Sequence, residues 1–479
     1  MIERLFFRRP FRSATSEKEV ARARNDGPRE HRVAGKTNRS IALVCDWLTT
    51  PGGAEKVLLE LHRMYPDAPI YTSQYRKKGI DWFNDATVKT GWLQIFPAAL
   101  RKFLSPLRQI YFSHLDLSDY DLVISVTGAE AKSVKFAPDK THLCYCHAPT
   151  QYYWQFYDRY VENPGFGFAP LDAFVRFFFK LLVKPLRKAD YRAAQKPTEF
   201  ITISRYSASQ IQKYYHRPAT VIAPPVDIAT FSTNPPKKST KRGKLSTNYP
   251  QISTEKSTKS TDFSTTFPQL FHSQSQNFPQ YYYDSDHPDQ PPKIICPDPP
   301  AYFIISCRQV NWKRVDLAIK ACLATESPLL VVGDGPERHN LLKLSGDSTL
   351  IKFLPWISAT ELAQYLHGAK AYLFPSLEPF GIAAIEALAA GCPVIAFAEG
   401  GSTDFIKVGK NGLTFPKQTA DSLASAIRKF NQTTFDRSVV SESARKFDTA
   451  HFVAAISSIV QSTTAPKSPQ KPSKKGTKK

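Results

Sequence analysis

Short runs of consecutive apolar residues, separated by helical patterns, constrain the fold of this chain more than any other feature. The first run is Ile41–Cys45, which a Gly52-Gly53 turn and a helical pattern from Ala54 follow. A strand that is apolar at every position is buried on both faces, as in a parallel sheet covered by helices. The other predicted strands of this series are Ala68–Tyr71, Leu122–Val126, His142–Cys146 and Phe200–Ile203. The alternation predicts an α/β domain built on a doubly wound sheet.

A second series of the same kind begins at Tyr302–Ser306. Its further predicted strands are Leu329–Val332, Ile351–Leu354, Ala371–Phe374 and Val394–Ala396. Helices are predicted between them, for example at Val315–Ala324 and Ala359–His367, and residues 418–462 are helical in pattern. The chain is therefore predicted to form two doubly wound domains. Ligands of such sheets bind outside the carboxyl ends of the strands, so the cleft between the domains is the expected site.

Composition sets the expected domain boundaries. Residues 1–39 and 463–479 are rich in basic residues, and residues 232–300 are rich in Ser, Thr, Lys, Pro and Gln with few aliphatic side chains. Such segments bury too little apolar surface to offset their ordering entropy, and we expect all three to be disordered. An N-terminal domain at 40–231 and a C-terminal domain at 301–462 remain. The Tyr281–Tyr283 run is either a binding patch or a chance feature of low-complexity sequence.

Charge and cysteine content narrow the class of protein. The net charge of +22 lies largely in the tails and the insert, without a nucleic-acid recognition motif. The seven cysteines are scattered, several in apolar runs, which favours buried thiols in a reducing compartment. Cys144 and Cys146 have no second ligand pair at zinc spacing, so no metal is expected. No apolar run approaches the ~20 residues of a membrane-spanning helix, and no secretory signal is predicted.

The segment Glu378–Glu386 places two carboxylates eight residues apart, on either side of Gly381. It follows the predicted strand Ala371–Phe374 and leads into a helical pattern of small residues. A strand, a turn with exposed N–H groups and a helix N-terminus together form an anion site. Two acids beside it are suited to bind hydroxyl groups of a ligand whose phosphates lie on the amides. This combination suggests a nucleotide-sugar.

The same two acids also suggest a glycosidase pair. If the helix begins near Phe380, Glu386 lies about two turns in, roughly 9 Å along the axis from that start. This separation favours contacts with different parts of one long ligand over acid–base chemistry at one bond.

Other candidate residues follow predicted strands. Arg308 and Lys313 come after Tyr302–Ser306, where two cations are suited to bind phosphate. A solvated basic loop is the alternative, since Arg314 is also there. His147 also follows a strand and is a candidate for the cleft, although a lone histidine is more often structural.

The Gly333–Pro336 turn lacks the third glycine of a dinucleotide fingerprint, because Arg338 stands in its place. A structural turn is the better interpretation.

Two segments combine apolar and basic residues. In Phe174–Lys188, a predicted helix presents Arg176, Lys180, Lys184 and Arg187 on one face. Pro185 is expected to kink or end this helix. Trp92–Phe112 repeats the pattern, with Trp92, Ile95, Phe96 and Leu100 beside Arg101, Lys102 and Arg108. Such helices either lie in an anionic membrane interface or pack normally with a solvated basic stripe.

Six motifs in chain order resemble those of the retaining nucleotide-sugar glycosyltransferases of family 4, whose fold is called GT-B. The motifs are Gly52-Gly53-Ala54-Glu55, Cys146-His147-Ala148-Pro149, Pro224-Pro225-Val226-Asp227, Arg308 with Lys313–Asp316, Gly333–Pro336, and Glu378 with Glu386. The last continues into Gly391–Val394 and Gly400–Asp404. The resemblance covers roughly Ile41–Asp227 and Tyr302–Gln461. The second and third motifs look most like the mannosyltransferase-like branch that builds bacterial surface glycans.

The resemblance implies how the donor is held. Arg308 and Lys313 would bind the donor diphosphate, Glu378 would contact the transferred sugar, and Glu386 would bind the ribose hydroxyls.

The resemblance also implies roles for the turn and for the first domain. The backbone at Phe380, Gly381 and Ile382 would cap the phosphates. Gly53 would approach the donor or acceptor, and His147 would line the sugar pocket.

The implied activity is transfer of a hexose, most specifically mannose from GDP-mannose, to a lipid-linked or surface glycan with retention of configuration. No metal and no other cofactor are expected, and charge developing on the leaving phosphate would be stabilised by the cations and the helix N-terminus. A cytoplasmic protein held peripherally at an anionic membrane is expected. The alternatives are a GT-B epimerase and, less favoured, a basic nucleic-acid-binding protein. A phosphorylase of this fold would need a pyridoxal-bearing lysine motif, for which there is no candidate.

Three features depart from the family pattern. Pro379 stands where glycine is common, and Asp404 replaces a common glutamate. The insert at 232–300 falls at the interdomain linker, where it either alters closure or serves as a tether.

Overall fold

The computed structural model describes residues 39–98, 104–162, 169–232, 277–282, 293–296 and 300–464. The first domain contains a seven-stranded parallel sheet with strand order β3-β2-β1-β4-β5-β6-β7. Its strands are β1 (Ile41–Cys45), β2 (Ile70–Thr72), β3 (Val88–Thr90), β4 (Leu122–Thr127), β5 (Thr141–Cys146), β6 (Glu199–Thr202) and β7 (Thr220–Val221). Its helices are α1 (Gly53–Met64), α2 (Ser105–His114), α3 (Tyr157–Glu162), α4 (Ala169–Ala194), α5 (Arg205–Tyr215) and α6 (Ile228–Phe231). Every residue of β1 and β4 is buried, as a doubly covered parallel sheet requires.

Two short strands, β8 (Gln280–Tyr282) and β9 (Lys293–Ile295), pair antiparallel inside the segment 232–300 that composition predicts to be disordered. Phe278, just before β8, is buried, and its ring lies 6.2 Å from that of Tyr302. These residues form regular structure that packs against the second domain. Residues 233–276 lie outside the described residues, so their disorder stays a prediction. Tyr281 of the tyrosine run lies in β8, and Tyr283 lies outside the described residues.

The second domain contains a six-stranded parallel sheet with the order β12-β11-β10-β13-β14-β15. Its strands are β10 (Phe303–Ser306), β11 (Leu329–Val332), β12 (Ile351–Leu354), β13 (Tyr372–Phe374), β14 (Val394–Phe397) and β15 (Gly412–Phe415). Its helices are α7 (Val315–Ala324), α8 (Arg338–Ser345), α9 (Ala359–His367), α10 (Ile382–Ala389), α11 (Ala420–Phe430) and α12 (Arg437–Glu442). The predicted architecture of two doubly wound α/β domains is confirmed.

Apolar runs locate the central strands well. β1, β11 and β12 have the predicted bounds, and the other predicted strands are within two residues at each end. Within the two parallel sheets, the strands that the pattern missed are β3, β7 and β15. β3 and β7 are edge strands with largely exposed residues, so they carry no apolar run. β15 begins at a glycine, whose added Cβ would lie 2.0 Å from the carbonyl oxygen of Val394 on β14.

The last helix, α13 (Thr449–Thr464), returns to the first domain. The amide of Val226 donates to the carbonyl of Phe447 at 3.1 Å, and the Thr449 hydroxyl donates to the carbonyl of Val226 at 3.3 Å. The ring of Phe452 packs edge-on against Tyr145 of β5 at 5.9 Å. Residues 449–464 therefore join the two domains, which the assignment of 301–462 to a single C-terminal domain does not anticipate.

Helix α4 continues through Pro185 to Ala194, so of the two expected effects of this proline, a kink or an end, the end does not occur. Beyond the proline, Asp190, Ala193 and Ala194 are buried, and this packing holds the last turns in place. Within the described residues, no helix has both the length and the apolar character needed to cross a bilayer.

The buried side chain of His142 on β5 makes the free energy of unfolding depend on pH. Its side chain is inaccessible to solvent, with Nε2 2.9 Å from the Ser125 hydroxyl and the ring edge-on to Phe136 at 5.1 Å. Burial, aided by the positive charge of Lys196, lowers the pKa of His142 from 6.5 to about 3. The folded protein therefore keeps this ring neutral at a pH where the unfolded chain is protonated.

We expect the free energy of unfolding to fall as the pH drops from 6.5 towards 3, by about 1.4 kcal/mol per pH unit from this residue. His142→Gln removes the titrating group, so urea unfolding between pH 6.5 and 4.5 is expected to show a shallower slope than wild type. His114→Gln is the matched control, since His114 is exposed on α2, and it should parallel wild type. Equal slopes in wild type and His142→Gln would contradict this account.

Candidate functional site

A cavity of 710 Å³ lies where the carboxyl ends of the two sheets face each other. Its wall from the first domain includes Asp46 after β1, Gly128 after β4 and His147 after β5. The second domain contributes residues after β10 and most of the turn from β13 into α10. Strand ends from both sheets thus form one site, at the place where parallel sheets bind ligands.

Glu378 and Lys313 meet inside this cavity. The Lys313 Nζ lies 2.6 Å from Glu378 Oε2, and the side chains are 24% and 17% exposed. The Ser376 hydroxyl donates to the other carboxylate oxygen of Glu378. Burial by itself would lower the pKa of Lys313, but the adjacent Glu378 carboxylate outweighs it and raises that pKa above its ordinary value. Lys313 is therefore a charged donor at neutral pH, held beside the turn.

Glu386 is also paired, but with the other domain. Lys56 of α1 donates from Nζ to Glu386 Oε1 at 2.9 Å, with side-chain exposures of 42% and 11%. Close by, a Cβ added to Gly53 would lie 3.1 Å from Ile382 Cδ1. The starts of α1 and α10 therefore face each other across the cavity.

The start of α10 is open to a ligand. Gly381 precedes it with φ 133°, a conformation that favours glycine, and makes no side-chain cap. A Cβ there would lie 2.7 Å from the Phe374 ring. Phe380 is buried against Phe405 and Phe447, with centroids 5.9 and 5.6 Å away. The uncapped first turn of α10 therefore presents its backbone amides beside Lys313, as an anion site requires.

Gly400 and Gly401 hold this turn from behind. The Gly401 amide donates to the Glu378 carbonyl at 2.8 Å. A Cβ at Gly401 would lie 2.3 Å from the Pro379 oxygen, and one at Gly400 2.6 Å from the Glu378 oxygen. The glycine pair permits a backbone contact that fixes the carbonyls of Glu378 and Pro379.

His147 lines the cavity and packs edge-on against Tyr145 at 5.5 Å. Its backbone is fixed, since the amide donates to Thr127 at 2.9 Å and the carbonyl accepts from Ser207 at 2.8 Å. Nε2 is buried without a hydrogen-bond partner in the described part of the chain. Burial lowers the pKa of His147 from 6.5 to about 4, so the ring is neutral at pH 7. A neutral ring with an unused nitrogen is suited to a ligand hydroxyl.

Arg308 is placed differently from Lys313. It is exposed on the loop after β10 and does not contribute to the cavity wall described here, whereas Lys313 of the same loop does. Arg314 pairs with Asp316 at 3.0 Å, so it is not the free cation of a solvated loop. The structure thus brings together, around one cavity, Glu378, Glu386, Lys313, His147 and Gly53. Arg308 lies outside this group, exposed on the loop after β10.

The turn at Gly333 packs against the loop that follows β10 and carries Lys313. Gly333 has φ 116°, and its added Cβ would lie 2.2 Å from the Cys307 oxygen. The Gln309 side chain donates to the Gly333 carbonyl at 2.8 Å. These contacts agree with a structural turn that orients the chain leading to Lys313.

Asp404, which departs from the family pattern, makes an interdomain contact outside the cavity. Its Oδ1 lies 2.9 Å from Arg205 Nε, and its Oδ2 accepts from the Arg205 amide at 2.7 Å. It therefore joins the second domain to the first turn of α5.

Aromatic residues line the cavity in the first domain, and buried charged groups support them from behind. Tyr152 and Trp47 line the cavity, and the Arg108 guanidinium lies 4.8 Å from the Trp47 ring centroid. Arg108 Nε donates to Glu130 at 2.8 Å, and the Tyr152 hydroxyl also donates to Glu130. Arg108 is thus buried behind the cavity wall, and its predicted place in an exposed basic face is wrong.

Sequence reasoning missed several cavity residues. Lys56 lies in the Gly-Gly motif's helix, and a cation one turn into that helix was an available signal. Trp356 and Ile357 follow β12 and line the cavity near Val332, but no motif marks them. Among the described residues, no three His, Cys, Asp or Glu side chains lie close enough together to bind a metal ion.

Comparison with known proteins finds a family match for one segment of the chain, which includes most of the second domain. Residues 286–447 match the family described as glycosyl transferases group 1. The D-inositol 3-phosphate glycosyltransferase of Mycobacterium marinum is 31% identical over 125 residues, 24% of this chain and 27% of that protein. The glycogen synthase of Mycobacterium tuberculosis is 32% identical over 104 residues, 21% of this chain and 25% of that protein. The chain thus spans about a quarter of the length of these relatives, none of which is named a mannosyltransferase.

The whole fold has a counterpart among solved structures. Anabaena Alr3699/HepE, in complex with UDP and glucose, superposes with a TM-score of 0.55 at 16% identity, covering 89% of this chain and 100% of that one. At this identity the similarity concerns the fold, and it agrees with the GT-B arrangement of two facing domains.

Gly401→Ala is expected to displace the Glu378–Phe380 turn, because the new methyl group would overlap the Pro379 oxygen. We expect a loss of about 1–3 kcal/mol in the free energy of unfolding, measured by urea denaturation. Gly128→Ala is the control, since an added Cβ there meets nothing within 4 Å. If the two variants were equally stable, the proposed close contact would be refuted.

Proposed function

We propose that this protein is a retaining glycosyltransferase that moves a hexose from a nucleotide-sugar to a glycan acceptor. The observation that carries the proposal is the Lys313–Glu378 pair beside the uncapped start of α10, in a cavity shared by both domains. A cation and helix amides bind a diphosphate, while the carboxylate binds hydroxyl groups of the attached sugar. The group 1 match of residues 286–447 supports the same conclusion.

The donor would lie along the second domain. Its diphosphate would contact Lys313 and the amides at Phe380, Gly381 and Ile382, while Glu386 would bind the ribose. The base would reach the apolar surface formed by Trp356 and Ile357 at the end of β12. Arg308 would join the phosphates by swinging inward from its exposed loop.

The sugar would face the first domain, where Nε2 of His147 is available to one of its hydroxyl groups. In the transfer, the bond from the anomeric carbon to the phosphate oxygen breaks and a bond to the acceptor oxygen forms on the same face. The acceptor proton passes to the leaving phosphate. Lys313 and the start of α10 stabilise the charge on that phosphate. No step in this scheme requires a metal.

Mannose from GDP-mannose is the donor that the sequence motifs favour, and UDP-glucose is the alternative raised by the UDP and glucose bound to HepE. An epimerase would convert the sugar without an acceptor, so analysis of the products separates it from a transferase.

A membrane-held acceptor is supported by an exposed surface of the first domain. On α4, Phe177 and Leu181 are 64% and 62% exposed, and Arg176, Lys180 and Lys184 are exposed beside them. Ile110 is exposed on the adjoining α2, and Trp92 and Ile95 are exposed on the short 3₁₀ helix Trp92–Ile95 before it. We propose that this surface binds an anionic bilayer. Arg187 is expected on this basic face but does not belong to it. Its guanidinium lies 4.7 Å from the Tyr157 ring centroid, and its Nε donates to the Tyr153 carbonyl.

Glu378→Ala and Lys313→Ala are each expected to lower transfer from the preferred nucleotide-sugar by about 100-fold or more, because each removes a group aimed at the sugar or at the developing phosphate charge. Donor consumption and product formation would be measured with GDP-mannose and UDP-glucose. Glu442→Ala and Lys410→Ala, both at exposed positions of the second domain, are the controls. Near-normal rates in both site variants would refute the assigned roles, and failure of wild type to bind any nucleotide-sugar would sink the proposal.

Replacing Arg176, Lys180 and Lys184 by Gln should weaken binding to vesicles containing anionic lipid, by roughly 1 kcal/mol per charge, since each cation lies near the surface. Cosedimentation with vesicles measures the loss. The control variant carries Gln at Lys407, Lys410 and Lys417, exposed lysines of the second domain. Equal vesicle binding by the α4 variant and wild type would exclude this surface.

A further inference from the structure

The cations of the cavity come from both domains. Among the described residues that line it, two lysines and no arginine supply positive side chains: Lys313 from the second domain and Lys56 from the first. The carboxyl groups that line the cavity are those of Asp46 and Glu55 from the first domain and of Glu378 and Glu386 from the second. A diphosphate carries two or more negative charges. One ammonium group, already close to several carboxyl groups, offsets little of the diphosphate charge, so binding of the diphosphate favours the use of both lysines.

Lys56 lies where a diphosphate would reach it. It bonds Glu386, which is four residues beyond the first residue of α10, or about 6 Å along the helix axis. Gly53, three residues before Lys56, is in contact range of Ile382 at the start of α10. The residue that Lys56 bonds is thus about one helical turn from the start of α10, in the cavity that Lys313 also lines.

Lys56 also has the freedom to change partner. Its side chain is 42% exposed, whereas Glu386 is held on a buried helix and is 11% exposed. The flexible four-carbon chain of lysine turns its ammonium group over several ångströms without moving the backbone. A partly exposed ion pair contributes little to stability, so exchanging Glu386 for another anion costs Lys56 little free energy.

We propose that Lys56 is a second cation for the donor diphosphate, supplied by the first domain, and that the phosphate replaces Glu386 as its partner. This inference rests on the proposed function. Release of Glu386 makes its carboxylate available to the ribose, so phosphate binding and ribose binding support each other. The diphosphate then bridges Lys56 and Lys313, and the donor itself holds the two domains together. Lys56 thereby adds a first-domain cation to the second-domain cations that the sequence motifs assign to the diphosphate.

The test compares ligands with and without phosphates. Binding of UDP, GDP, uridine and guanosine to the full chain would be measured by calorimetry or NMR titration for wild type, Lys56→Met and Lys56→Arg. We expect Lys56→Met to weaken binding of the preferred diphosphate by about 10- to 100-fold, the size of a lost charged hydrogen bond. Binding of the matching nucleoside should be unchanged or tighter, since Glu386 is released. Lys56→Arg should restore most of the diphosphate affinity.

Arg205→Met is the matched control, because it removes a second interdomain ion pair, with Asp404, outside the cavity. It should leave the diphosphate affinity within a few-fold of wild type. If Lys56→Met weakens nucleoside and diphosphate equally, Lys56 is only a clamp between domains and the inference is wrong. Unchanged diphosphate affinity in Lys56→Met also overturns it, while leaving the proposed function intact. If wild type binds no nucleotide, the proposed function and the inference fall together.

Discussion

The close approach of two helix starts, at Gly53 of α1 and Ile382 of α10, sets the geometry on which the cavity depends. A side chain at position 53 would meet Ile382 at 3.1 Å, so the small residue determines how near the domains come. This approach brings Lys56 within hydrogen-bond distance of Glu386 and places strand ends of both sheets around one volume. Because both helices begin there, the positive ends of two helix dipoles face the same space, which favours an anion.

The site is supported by buried structure on each side. In the second domain, Phe380 packs on Phe405 and Phe447, and Gly401 bonds the Glu378 carbonyl, so the turn cannot easily relax. In the first domain, the ion pairs Arg108–Glu130 and Lys132–Asp190 are almost inaccessible to solvent. Breaking one of these pairs would leave an uncompensated buried charge, so they fix the wall rather than add much net stability.

The central elements of the fold could be predicted because they follow local patterns. Strands such as Leu329–Val332 are apolar throughout, and α9 begins with a Ser358–Glu361 capping box. Edge strands such as Val88–Thr90 could not be predicted, since their residues are exposed and their pairing depends on a neighbouring strand. Pro185 shows the same limit, because distant packing keeps α4 helical where local preference favours an end.

The sequence by itself determined the alternation of the central strands and helices, and it placed Glu378, Lys313 and His147 after strand ends, where parallel sheets bind ligands. Only the tertiary structure decided which charges share the cavity. It placed Arg308 in solvent and buried Arg108 behind the first-domain wall of the cavity. It also brought Lys56 to Glu386, 330 residues away along the chain. The physical reason is that periodicity and turn chemistry act over a few residues, whereas a side chain's partner across two domains depends on how both are packed and joined.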